Sequence, residues 1–290
     1  MKLPTYTSAH LLVLGALVLC ACGPEGAPQA QHALLETHVP RAKEVVNLDR
    51  QRTRTGVIAA AARLAPGFRV EDPESRERQM RRALTLVQEP PRGIPEFIAS
   101  PISFLAVIDA EGVVVCRDGQ AEHDRMKGQN LSERFEVVQN ALAGEVGYEL
   151  GQFGSEEEGG TSHSMLFAAP IYNEGGTIVG ATLAGIPLWR EAQRLSRQLR
   201  VELAEEINEG MVLWVSLYDG DELIPSPNAP TEIVGEVPTA ETRSAGFARS
   251  AGGFTGETHM FRQWYGYAVV PLPTIAENVG VVIYRSEPEE

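Results

Sequence analysis

The chain has 290 residues, 43% of them apolar, and its 39 acidic side chains outnumber 25 lysines and arginines for a formal charge of −14. That length buries a self-sufficient core as one large domain or two small ones. So acidic a surface repels phosphate backbones and anionic headgroups, which excludes nucleic acid as a partner. The cysteines at 20, 22 and 116 are too few and too scattered for a disulfide framework or a cysteine-built metal site.

At the start of the chain, Lys2 precedes the unbroken apolar run Leu11–Leu19. The run falls short of the about 20 residues that span a bilayer and has the about 7–15 of a secretory signal core. Leu19-Cys20-Ala21-Cys22 follows at once. This order of an aliphatic residue, a variable one, a small one and a cysteine resembles the lipobox of bacterial lipoprotein signals. The resemblance implies that residues 1–21 are a lipoprotein signal peptide and that Cys22 is the lipidation site and first residue of the mature chain. Its thiol is the nucleophile that takes the lipid, and the small Ala21 fits a narrow protease subsite. Gly23 stands where an aspartate would resemble an inner-membrane retention signal, so the expected place is the outer membrane of a Gram-negative envelope. The lipid, rather than a basic face, then holds the protein to its membrane. Cys116 is left as the one free thiol.

Residues 22–32 are small, polar and proline-bearing, a flexible tether. From His32 to about Leu64 apolar residues recur at three- and four-residue steps, a helix with Pro40 near its start or at a kink, stopped by Pro66-Gly67. A second helix runs from about Pro73 with Met80, Leu84 and Val87 on one face. Phe104–Asp109 and Val113–Arg117 form a hairpin around Ala110-Glu111-Gly112. A short helix follows from about Ser132, then strands at Tyr148–Phe153, Ser164–Pro170 and Thr177–Ile186. Leu195, Leu199, Leu203 and Ile207 mark a connecting helix over 189–209. Strands return at Val212–Tyr218, Glu222–Ile224, Gly256–Met260, Trp264–Leu272 and Val279–Tyr284, with little periodicity in 225–246.

The two strand sets share an order of parts: an apolar strand with an acidic glycine turn, a middle segment, a strand ending in proline, and a last valine-rich strand. The turns are Ile108–Gly112 and Tyr218–Asp221, and the closing strands end at Ala168-Ala169-Pro170 and Val269-Val270-Pro271. The expected fold class is therefore α+β, with two PAS-like antiparallel sheets and a long N-terminal helix. Residues 33–188 carry the N-terminal helices and first module, and 210–286 a second, smaller module. Ala106–Val115, Lys127–Leu131, Val138–Gly144, Ala168–Tyr172 and Gly180–Leu183 resemble a Cache domain, the extracytoplasmic PAS-like sensor module of bacterial receptors. With the second strand set, the chain resembles a double Cache arrangement over roughly residues 33–286. Receptors of that family flank the sensor with transmembrane helices. This chain has neither, so it is expected to signal through a membrane partner.

The resemblance implies a small-molecule pocket on the concave face of a curved sheet, and in the first module Arg117, Tyr148, His163 and Tyr172 are the ligand-binding candidates. An amino acid or organic acid is the expected ligand class. Arg262-Gln-Trp-Tyr265 is similar to part of an amino-acid-binding motif of double Cache sensors, but Glu257 stands where that motif has a tyrosine. An aromatic strand packing the second core is the expectation there. Thr161-Ser-His-Ser164 lacks a nucleophile elbow, and no zinc, calcium, P-loop or dinucleotide signature occurs. The reading is a non-enzymatic sensor lipoprotein without cofactor or metal, relaying to a membrane signalling protein. The alternative is an envelope interaction subunit whose pocket is filled by its own side chains.

Overall fold

The computed structural model describes residues 26–153, 162–227 and 229–287. Cys22 and the signal segment lie outside the described residues. The fold starts with one long helical rod: α1 (Pro28–Ala33), a π-helical turn (Leu34–His38), α2 (Val39–Leu64) and a 3-10 turn (Ala65–Arg69). The 26 residues of α2 alone span about 39 Å. The rod begins at Pro28, inside the stretch 22–32 that the sequence gives to the tether. Pro28 occupies the first turn, where a missing N–H costs nothing, and the Ala27 N–H donates to Glu257 at 3.0 Å. Pro40 sits in the first turn of α2, directly after the π-helical turn. Two further helices follow, α3 (Pro73–Gln88), capped by Asp72 accepting from the Ser75 N–H, and α4 (Pro95–Ala99).

The first module comprises β1 (Phe104–Asp109), β2 (Val114–Arg117), α5 (Glu136–Leu142), β3 (Gly147–Phe153), β4 (Ser162–Tyr172) and β5 (Ile178–Pro187). Its antiparallel sheet has the order β2-β1-β5-β4-β3. A connector follows, α6 (Leu188–Glu202) and α7 (Ala204–Asn208). The second module comprises β6 (Leu213–Asp219), β7 (Glu222–Pro225), α8 (Ile233–Glu236), α9 (Ala240–Arg249), β8 (Phe254–Met260), β9 (Gln263–Pro271) and β10 (Val279–Ser286). Its order, β7-β6-β10-β9-β8, repeats the first. The α+β class with two PAS-like sheets and a long N-terminal helix is what the sequence pattern predicts.

Two elements differ from the sequence reading. The middle helix of the first module starts at Glu136 rather than Ser132, because Asn130 Oδ1 takes both the N–H and the hydroxyl of Ser132 in a local turn. The second module has a middle helix, α9, where the sequence shows little periodicity. Its apolar stripe is short of side chains: Gly246 lies so close to Phe254 that a Cβ would collide with the ring, and Phe247 packs on Phe254 at 5.6 Å. Thr239 accepts from the Thr242 N–H and starts the helix.

Both sheets present one face to the same helices. Leu34, Val46, Val57 and Leu64 of the rod, and Leu188, Leu195 and Leu199 of α6, join Leu105, Val107, Met165 and Phe167 of the first sheet and Leu213, Val215, Val281 and Ile283 of the second in one core. The opposite faces have separate clusters, under α5 in the first module and beside α8 and α9 in the second. Cys116 is buried in the shared core, and burial pushes its thiol up to about 12, so it stays protonated and inert.

Charges are buried in that core as well. Asp49 of α2 accepts from Arg194 Nε of α6 at 3.2 Å, and Glu191 beside it is fully buried with both carboxyl oxygens unpartnered among the described residues. Burial, and then the charge of Asp49, raise the Glu191 carboxyl well above its ordinary value of 4.5, with Arg194 opposing. The folded chain keeps a proton that the unfolded chain releases, so this group costs stability as pH rises above 4.5. Glu191→Gln is neutral at every pH. It should be more stable than the parent at pH 8 and equal to it at pH 4, measured by urea unfolding at both pH values.

Candidate functional site

The four side chains singled out in the first module do not meet. Strand alternation sends Tyr148 and His163 to the face packed on α2, and Arg117 and Tyr172 to the face under α5. Tyr148 stacks on Phe167 at 5.8 Å, lies under the Arg50 guanidinium at 4.3 Å, and donates its hydroxyl to the Thr274 carbonyl of the second module. His163 also reaches across: Nδ1 is 2.7 Å from Asp219 and Nε2 2.9 Å from Glu222, with the Gln152 amide beside it. These two residues tie the modules together. Arg117 lies over the Phe104 ring at 5.5 Å and beside Asp118. Tyr172 is 45% exposed, with its hydroxyl on the Gly144 carbonyl.

The interior under α5, where a PAS-like module would hold a ligand, is occupied by its own side chains. Phe153 meets Phe104 at 5.4 Å and Phe135 at 4.8 Å, and Leu166, Val138 and Leu183 fill in behind them. At Gly151 a Cβ would come within 2.6 Å of Leu166 and 2.7 Å of Phe135, so that strand lies flush on the packing.

The matching face of the second module has a different chemistry. Trp214, Ser216 and Tyr218 alternate along β6, Tyr284 comes from β10, and Tyr265 and Tyr267 from β9. Ser216, Tyr218 and Tyr284 are buried, yet their hydroxyls have no hydrogen-bond partner among the described residues. Buried hydroxyls are ordinarily paired, and an orphan costs about 1–3 kcal/mol. Three such hydroxyls share this one sheet face. Burial pushes the Tyr218 hydroxyl up to about 12 and raises Tyr284 further still, so both serve as neutral donors. Tyr265 is satisfied by Gln263 at 2.8 Å and stacks on Trp214 at 5.2 Å.

Two clefts lie at the ends of β6, the larger of them on its seam side against Leu213 and Val215. One of about 320 Å³ lies at the Trp214 end, between β6 and α6, lined by Ser196, Arg200 and Ser226; the buried Ser226 hydroxyl is also unpartnered. The other, about 180 Å³, lies at the Tyr218 end beside Arg243, Glu277 and Asn278. The Arg243 guanidinium is spent on the carbonyls of Pro238 and Gly220 and lies on the Tyr218 ring at 4.3 Å. Arg262 is an exposed residue of the β8–β9 turn with φ 69, remote in role from the buried face. Among the described residues no cluster of three His, Cys, Asp or Glu could hold a metal ion. The sequence held a signal for this site: period-two spacing of Trp214, Ser216 and Tyr218 on β6, and of Tyr265 and Tyr267 on β9, puts polar-tipped aromatics on one face of two strands that flank β10.

Comparison with protein-family models and with curated protein sequences finds no match. Solved structures match in fold. The ligand-binding domain of the Campylobacter jejuni chemoreceptor Tlp3, in complex with 4-methylisoleucine, aligns at TM-score 0.53 and 12% identity, over 86% of this chain and 88% of that one. The sensor domain of the Vibrio cholerae histidine kinase DctB aligns at TM-score 0.52 and 13% identity, over 90% and 99%. The periplasmic domain of Vibrio cholerae LuxQ aligns at TM-score 0.53 and 12% identity, over 86% and 98%. The fold is that of Cache-type sensor domains in the two-module form, as the sequence resemblance implies.

The separate placements of the four first-module residues have measurable consequences. His163→Ala removes the ring that bridges to Asp219 and Glu222 at the module junction and should cost about 1 kcal/mol in urea unfolding. Tyr172→Phe removes an exposed hydroxyl and should cost less than about 0.5 kcal/mol.

Proposed function

We propose that the protein is a sensor of the cell envelope that binds a small polar molecule in its second module. The observation that carries this reading is the set of buried, unpartnered hydroxyls of Ser216, Tyr218 and Tyr284 on one aromatic sheet face. Hydroxyls and aromatic rings with no free charge among them suit an uncharged ligand with both an apolar face and hydrogen-bonding groups. Amino acids and organic acids remain in the test because the Arg200 side chain lines the larger cleft. The two-module fold supports the sensor reading. The first module, with its own side chains filling the ligand position, then acts as a rigid body beside the sensing one. That filled interior also favours a second reading for the first module, a docking domain with no small ligand.

Anchoring completes the proposal. Cys22 carries lipid, and α1 starts a few residues later against β8, β9 and β10. The second module thereby lies next to the membrane and the first points away from it. Among the described residues no helix is long and apolar enough to cross a membrane, and the ligand-bound state is handed to a membrane signalling protein. Cys22→Ala should shift the protein from the membrane to the soluble fraction on cell fractionation. Retention at the membrane would mean another attachment.

Ligand binding is tested by thermal shift against sugars, nucleobases, amines, amino acids and organic acids. A ligand at a hundred times its Kd stabilises by about 2.7 kcal/mol, a rise of a few degrees. Ser216→Ala and Tyr284→Phe should leave the ligand-free protein as stable as the parent or more so, and should abolish the shift. No hit across the panel, with both variants less stable than the parent by more than about 1 kcal/mol, would assign these hydroxyls to the core and sink the sensor reading.

A further inference from the structure

A third cleft, of about 280 Å³, lies between α4 and the first half of α6, away from the tyrosine face. Its wall is Arg190, Arg194 and Arg197, at positions i, i+4 and i+7 of one helix face, with Gln193, Trp189 and Ser100 beside them. Not one of its lining residues is acidic, in a chain where 39 acids face 25 basic residues. Elsewhere arginines find those acids: Arg41 pairs with Glu44 and Glu202, and Arg81 with Glu77 and Asp124. Arg190 and Arg197 have no hydrogen bond or ion pair among the described residues.

Arg194 is held ready. Asp49, with its side chain 1% exposed, accepts from Nε at 3.2 Å, and no acceptor among the described residues takes the two terminal nitrogens of the fork. Arg52 also approaches Asp49, at 3.6 Å, so that one carboxylate is shared between two arginines and offsets only part of the wall's charge. Glu191, behind the wall, is buried and favours its uncharged form.

We propose that this cleft is an anion site that takes a small organic polyanion, its charged oxygens on the Arg190, Arg194 and Arg197 guanidiniums and its carbon frame against Trp189. Arginine forks match carboxylate and phosphate oxygens in pairs, and three of them on one wall select for more than one negative charge. The site stands independently of the sensor reading. It sits on the helix that joins the modules, so an occupant would brace α6 against α4.

The test is isothermal titration of the protein with citrate and with inorganic phosphate at low ionic strength. Saturable one-to-one binding of either probe, weakened by added salt, is expected. Arg190→Gln and Arg197→Gln alter side chains without partners, so the fold should tolerate them, and each should weaken binding about tenfold. Tyr284→Phe, on the other sheet face, should leave it unchanged. No saturable binding of either probe, or binding that survives the double variant Arg190→Gln/Arg197→Gln, would overturn the site.

Discussion

Everything in this molecule depends on one shared apolar seam. The rod α1–α2 and the connector α6 cover the same-side faces of both sheets, so that Val46 and Leu195 belong to the same packed core as Met165 of the first module and Val281 of the second. A fully buried side chain of this size contributes about 1.5–3 kcal/mol, and dozens lie in this one layer. Two modules with separate cores could rock about a linker; two that share a core move together or not at all. Tyr148 on Thr274 and His163 between Asp219 and Glu222 add directional contacts to a seam that hydrophobic burial alone would leave free to slide.

The same seam places its charges at a cost and with opposite signs. His38, in the π-helical turn, is buried with Nε2 on Arg285, which in turn reaches Glu206. Burial, then Arg285, lowers its pKa from 6.5 to about 4. The unfolded chain binds the proton more tightly there, so His38 costs stability as pH falls below 6.5. Glu191 costs stability as pH rises above 4.5. Between them the rod–connector contact favours mildly acidic conditions, which is a property of two buried groups and not of the net charge of −14.

How much of this was legible in the sequence follows from what each element needed to advertise. The strands were legible because each alternates or runs apolar between glycine turns, and Asp109 with Gly112 writes the first hairpin in two residues: the Asp109 carboxylate takes the Glu111 and Val113 N–H groups while Gly112 takes φ 86. The repeat of parts gave the common strand order. Helix α9 was hidden because it docks through Arg243, Gly246 and the single aromatic Phe247, and so short and mixed a face leaves no hydrophobic stripe to find. The start of the rod was hidden for a similar reason. Pro28 to Ala33 holds small and polar residues, yet Ala27 and Ala30 are buried against the second sheet. The ligand candidates of the first module are placed apart by parity and by packing. The strand pattern shows that Arg117, Tyr148, His163 and Tyr172 lie near strand ends, but only the register shows that they fall on two faces, and only the packing shows Phe104, Phe135 and Phe153 filling the interior under α5.

Strand β6 brings these themes together. Its odd residues, Leu213, Val215 and Leu217, are in the shared seam, and its even residues, Trp214, Ser216 and Tyr218, line the tyrosine face. A strand cannot shift one set of side chains without shifting the other, because successive Cβ atoms leave the same backbone in opposite directions. A ligand reaching the Ser216 hydroxyl, as proposed, would therefore act on the backbone that carries Val215, and Val215 packs in the layer that holds α6. The connector in turn carries the arginine cleft on its outer side and Glu191 on its inner side. Under the proposed function, occupancy of the second module would reach the connector through this single strand, with no need for the modules to separate. The filled interior of the first module fits that arrangement: a lever transmits only when one end is stiff.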